Sequence, residues 1–191
     1  MKIRTHCNMA RLAMNEIEKK LNSYKLPLYK KIMFYIGTME PDFSIKQFKY
    51  PHYYVKSSEY IYKQIEILKN KAEINGSFMY EFGKVVHYFN DFCCYVHRTG
   101  DAGNLQEHMV YERKINRYLL KKRKDIHMDI KDRGNIETYN NIVDTIETIL
   151  IEYKTEEPSC QLDINKSIEI SIVLYNFLNK GRNRYVQNVY S

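Results

Sequence analysis

The sequence predicts an all-α protein, a single multi-helix bundle domain over residues 1–191. Apolar residues recur at helical spacing along the chain. Only 7 Gly and 4 Pro interrupt the 191 residues, too few for an all-β chain built on frequent tight turns. The composition is 44% hydrophobic and 28% charged, which excludes a disordered chain, and no apolar run reaches the roughly 18 residues of a membrane span.

The first part of the chain is expected to form two amphipathic helices and then a loop. The first helix spans about Cys7 to Leu21, and the second begins at Pro27, because proline favours the first helical position. Gly37 to about His52 contains two prolines without a sustained period, so we expect a loop there. The inward face of the second helix is predicted to carry Leu28, Ile32, Phe34 and Tyr35.

A central helix is predicted from about Ser77 to His97, after another helix from about Ser57 to Ala72. Apolar side chains surround most of its circumference, which indicates neighbouring helices on several sides. These side chains are Phe82, Val85, Val86, Phe89, Phe92 and Tyr95. Three more helices are expected at about Leu105 to Lys124, Glu137 to Lys154 and Ile164 to Leu178.

The charge and the cysteines limit the partners and the compartment. The net charge of +7 suits an anionic partner such as nucleic acid, a phospholipid surface or a phosphorylated substrate. The four cysteines form no CxxC motif, and the adjacent pair Cys93 and Cys94 is unlike a disulfide framework. No signal-peptide pattern opens the sequence, so we expect a cytoplasmic protein, or a secreted one if this is a mature form.

Histidines and acids occur in pairs four residues apart, a spacing that places both members on one face of a helix, although the pair His97 with Asp101 straddles Gly100 and is not expected to be helical. The pairs are His87 with Asp91, His97 with Asp101, and His108 with Glu112. His87 and Asp91 lie on the most apolar helix, where a buried carboxylate must be paired or bind a cation. A hydrogen bond within the core is one interpretation of an isolated pair. The second pair on the next helix favours a metal, and imidazole with carboxylate suits zinc.

These residues resemble the bacterial zinc-dependent phospholipase C family. The match centres on Gly83-x-x-x-His87-Tyr-x-x-Asp91-Phe, followed by His97 and by His108-x-x-x-Glu112. Upstream, Gly37-Thr-Met-Glu-Pro-Asp42 followed by His52 is similar to the Asp and His of the family's preceding loop, and Thr5-His6 to its first histidine. The resemblance covers about residues 5–115.

The resemblance implies three zinc sites, which together form a multinuclear metal site between the central helices. Asp42, His52, His87 and Asp91 would hold one ion, and His97, His108 and Glu112 a second. His6 and a bridging Asp91 would hold a third, which the family completes with an N-terminal tryptophan. This chain contains no tryptophan, so a third ion would require Met1 to fold back as a ligand.

The resemblance also identifies Asp42 as the candidate catalytic base, on a loop that can reach a metal-bound water. Gly83, one turn before His87, either lets another helix approach closely or is a weak point in its own helix.

The function implied by the resemblance is zinc-dependent hydrolysis of a phosphodiester, and specifically phospholipase C-type cleavage of a phospholipid headgroup ester. An anionic membrane surface is then an expected partner, and no obligate protein partner is indicated. One alternative is an intracellular phosphodiesterase or nuclease acting on a nucleotide or a nucleic acid. Another is a non-catalytic helical protein that keeps the metals for stability.

Overall fold

The computed structural model describes residues 3–21, 25–44, 50–98, 105–122, 126 and 128–180. Over these residues it contains seven α-helices, a short 3-10 helix at Tyr95–His97 and no strand, which confirms the all-α prediction. The helices are α1 (Ile3–Lys20), α2 (Leu28–Phe43), α3 (Tyr54–Lys69), α4 (Gly76–Phe92), α5 (Leu105–Lys122), α6 (Tyr139–Thr155) and α7 (Cys160–Asn179). None of the helices described here has the length and apolar character needed to cross a membrane.

Helix α4 lies at the centre of the structure, as its apolar circumference predicts. It packs against α1, α2, α3 and α7, and its last eight residues are all buried. Asn75 begins the helix by accepting a hydrogen bond at its side-chain oxygen from the Phe78 N–H at 3.0 Å. Helix α7, buried over most of its surface, forms the other half of the core and also contacts α1, α5 and α6.

The predicted loop from Gly37 to His52 is wrong in its first half, because α2 continues to Phe43. Pro41 is tolerated since it lies in the last turn, where only the Gly37 carbonyl loses its helical partner. Asp42 is therefore on a helix and not on a loop. The predicted inward face is also partly wrong: Phe34 is fully buried, but Leu28 is 72% and Ile32 46% exposed.

Helix α4 ends earlier than predicted, at Phe92 instead of His97. The chain turns at Cys93 and continues into the 3-10 helix that carries His97. The apolar pattern of the sequence continues through this break, because the turn packs on the same core. Cys93 and Cys94 in the turn are fully buried free thiols. Burial raises the pKa of both thiols well above the usual value.

The backbones of α2 and α4 touch where they cross. A Cβ atom on Gly37 would lie 2.0 Å from the Tyr80 carbonyl oxygen, and one on Gly83 would lie 2.3 Å from the Phe34 carbonyl oxygen. No side chain fits in either place, since these contacts are to backbone atoms. Of the two interpretations of Gly83, close approach of another helix is therefore the correct one.

Gly83→Ala should separate α2 from α4 and lower the free energy of unfolding by roughly 1–3 kcal/mol, as overpacking does. Gly76→Ala is the matched control, because its new Cβ would meet only the flexible Met33 and Tyr29 side chains, at 3.3 Å or more. Urea denaturation of both variants measures the difference. Equal stabilities for the two variants would contradict the close crossing.

Candidate metal centre

The eight predicted ligands come from five different elements and from the segment before α3, and the fold brings them together. They form three clusters whose ligand atoms lie close enough to hold a metal ion. We name them the His6 cluster (His6, His87, Asp91), the Asp42 cluster (Asp42, His52, His87) and the His108 cluster (His97, His108, Glu112). His87 belongs to two of them. Asp101 and Met1 lie outside the described residues.

The orientation of His87 is set by the crossing of α2 and α4. Its Nδ1 lies 2.9 Å from the Thr38 carbonyl oxygen, so Nδ1 carries the proton and donates it. Nε2 is then an acceptor, 3.2 Å from Asp91 Oδ2 and 3.7 Å from Asp42 Oδ1. A histidine whose second nitrogen is held by a backbone carbonyl is the usual arrangement of a metal ligand.

Asp91 is fully buried and is surrounded by imidazoles. Its Oδ2 lies 2.9 Å from His52 Nδ1, and its Oδ1 lies 3.5 Å from His6 Nε2. Burial opposes ionisation, but nearby positive charge, including that of the histidines when protonated, holds the pKa of Asp91 well below its usual value. The carboxylate is therefore charged and ready to bind a cation.

His6 is held next to His87 by ring stacking. Its ring lies on the His87 ring with centroids 3.8 Å apart and planes inclined by 21°. Burial, and after it the neighbouring His87, lowers the pKa of His6 well below the usual value. His6 is thus neutral, which is the form that binds a metal.

The Asp42 cluster contains two buried atoms that fit a cation. Asp42 Oδ2 and His52 Nε2 have no hydrogen-bond partner among the described residues. Asp42 Oδ1 lies 3.8 Å from His52 Nδ1, and burial raises the pKa of the Asp42 carboxyl. Because buried polar atoms normally find partners, these two point to a group that binds there.

The His108 cluster combines the 3-10 helix with α5. His97 Nδ1 donates to the His52 carbonyl at 3.0 Å, which turns its Nε2 towards His108 Nε2, also at 3.0 Å. Glu112, one turn after His108, places Oε1 2.9 Å from the same His108 nitrogen. Burial lowers the pKa of His97 to about 4. Two imidazoles and a carboxylate converging in this way match a zinc donor set.

Two further groups orient the ligands and were not predicted from the sequence. The Thr38 carbonyl gives no sequence signal, because any residue supplies a backbone oxygen. Asn90 is a buried amide on α4 whose Nδ2 lies 3.5 Å from His6 Nδ1, and its Oδ1 accepts a hydrogen bond from Ser167 on α7. A polar amide on so apolar a helix must find a hydrogen-bond partner when buried, as the Asp91 carboxylate must. Asn90 could therefore have been identified from the sequence in the same way.

Comparison with known proteins agrees with this donor chemistry. The family model described as zinc-dependent phospholipase C matches residues 5–160, which extends the resemblance beyond α5 and through α6. Neither the curated proteins nor the solved structures give a significant match. Because the matched region covers most of the 191 residues, the chain belongs to the zinc-dependent phospholipase C family.

Proposed function

We propose that this protein is a zinc-dependent phosphodiester hydrolase that cleaves the headgroup ester of a phospholipid in the manner of a phospholipase C. The observation that carries the proposal is the convergence of all eight predicted ligands on three adjoining clusters. A purely structural zinc site closes with about four ligands, so three clusters exceed what stability alone requires.

We further propose two zinc ions, with His6 and Asp91 as the basis of a third. The tautomer of His87 supports this number: Nδ1 donates to Thr38, so only Nε2 is available, and it can serve the His6 cluster or the Asp42 cluster. If His87 completes the Asp42 cluster, then His6 and Asp91 remain for another ion and need further donors. The His108 cluster shares no residue with the other two.

The residues of this chain would orient the zinc ligands and accept a proton. Bound zinc supplies Lewis acidity towards phosphate oxygens and lowers the pKa of water towards about 7. The Thr38 and His52 carbonyls fix the acceptor nitrogens of His87 and His97. Asp42 is the proposed general base, since its Oδ2 has no hydrogen-bond partner among the described residues and its raised pKa suits proton uptake.

Asp42→Asn should lower turnover of a soluble chromogenic phosphocholine ester by about 10²–10⁴-fold, the usual contribution of a general base. Asp144→Asn, at an exposed position of α6, is the matched control and should turn over normally. Steady-state kinetics and zinc content are measured on the same preparations. Turnover at the level of the unaltered protein in Asp42→Asn would contradict the assigned role.

An apolar face on α2 supports a membrane lipid as the substrate. Leu28, Tyr29, Ile32, Ile36 and Phe43 are exposed by 43–72% and share one side of the helix. Phe43 directly follows Asp42 in the sequence, so this face ends next to a residue of the metal centre. An exposed apolar face on a chain of net charge +7 fits insertion among lipids beneath anionic phosphates.

Replacing Ile32 and Ile36 together by Ser should weaken binding to anionic phospholipid vesicles on the order of 10–100-fold. The reason is that two isoleucine side chains are no longer transferred from water into the lipid. Turnover of the soluble ester should stay unchanged, since neither side chain belongs to the metal centre. Ile151→Ser on α6, also exposed, is the control. Vesicle sedimentation gives the binding. Equal vesicle binding by the double variant and the control would exclude this face as the lipid contact.

A further inference from the structure

Asp163, in the first turn of α7, is a buried carboxylate that the proposed chemistry does not use. It is 1% exposed and accepts hydrogen bonds from three residues on three other elements. Its Oδ2 accepts from the Tyr95 backbone N–H at 3.1 Å and from the Tyr111 hydroxyl at 2.8 Å. Its Oδ1 accepts from the Tyr153 hydroxyl of α6 at 2.8 Å.

Two of these donors lie beside the His108 cluster. Tyr95 is the first residue of the 3-10 helix that carries His97. Tyr111 lies on α5 between His108 and Glu112. The Tyr95 and Tyr111 rings also contact each other, with centroids 5.4 Å apart. One carboxylate oxygen therefore joins the two elements that supply all three side chains of this cluster.

The apolar anchors of helix α5 lie away from its ligand-bearing end. Over residues 106–121 its buried side chains are Glu112, Ile115 and Leu119, so the apolar anchors lie on the far side of Glu112 from His108. The half-buried Tyr111 packs against the core from this end of the helix. The 3-10 helix is only three residues long and has no side-chain cap.

We propose that Asp163 is a positioning residue for the His108 cluster, holding the 3-10 helix and α5 at the separation that zinc binding requires. This inference rests on the proposed function, since it assumes that the cluster binds zinc. Asp163 lies outside residues 5–160, which the family model matches. Burial raises the pKa of Asp163 to about 6, and the three donors counteract this rise, so the carboxylate is charged at neutral pH.

The test is the zinc affinity of the purified full chain, measured by competition with a chromophoric chelator. Asp163→Asn and Tyr111→Phe should each weaken one class of bound zinc by about 10–100-fold, as loss of an orienting partner does, and leave the other class unchanged. Tyr111→Phe keeps the test decisive if Asp163→Asn fails to fold, because it removes a single hydroxyl from a half-buried ring.

Two matched variants separate positioning from general stability. Glu169→Gln changes another buried carboxylate of α7, which pairs with Arg133 at 2.6 Å. Tyr153→Phe removes the hydrogen-bond donor to Asp163 that lies on α6, a helix without predicted metal ligands. Both should lower the melting temperature and leave every zinc affinity unchanged. The proposal is overturned if Asp163→Asn and Tyr111→Phe likewise lower the melting temperature and leave every zinc affinity unchanged.

The phosphodiester assay separates this inference from the proposed function. An unaltered protein that binds zinc but hydrolyses no phosphoester contradicts the function, while the affinity shifts still support positioning by Asp163. Unchanged affinities in an active enzyme contradict the positioning role alone.

Discussion

The backbones of α2 and α4 touch at Gly37 and Gly83, and the metal centre depends on that contact. It brings the Thr38 carbonyl to 2.9 Å from His87 Nδ1 and so directs the other nitrogen towards Asp91 and Asp42. Asp42 is one turn after Thr38, on the same side of α2. The glycines thus bring residues 38, 42, 87 and 91 together without contributing a side chain. A larger residue at either position would separate the ligands as well as the helices.

Backbone carbonyls orient one histidine in the Asp42 cluster and one in the His108 cluster. His87 donates to Thr38, and His97 donates to His52 in the same way. Both donations leave Nε2 as the available nitrogen, so the ligand geometry is fixed before any ion arrives. Asp91 then connects the sites, since its two oxygens face His6 and His52 separately. The charged, buried Asp91 carboxylate favours a cation inside, while the net positive charge of the chain favours an anionic substrate outside.

The sequence predicted the helical class, because apolar periodicity is a local feature. The four-residue spacing is local too and indicated His87, Asp91, His97, His108 and Glu112, whereas His6, Asp42 and His52 became candidate ligands only through the family resemblance. The prediction failed at Gly37 and Pro41, where local propensity indicates a loop but close packing against α4 favours a helix. It also failed at the end of α4, since the chain leaves the helix without leaving the core. Asp163 gave no signal, because its partners are 10 to 68 residues away. Contacts between distant segments were therefore the part that sequence alone did not provide.

His87 lies at the middle of the proposed multinuclear zinc centre. Zinc per chain, measured by elemental mass spectrometry on protein purified without chelators, tests it most directly in the unaltered protein and in His87→Ala. Val86→Ala, which removes buried apolar atoms in the same turn, controls for lost packing. We expect two or three ions in the unaltered protein and in Val86→Ala, and at least one fewer in His87→Ala. No zinc in the unaltered protein, even after supplementation at neutral pH, would mean that these histidines are core residues and that the account is wrong.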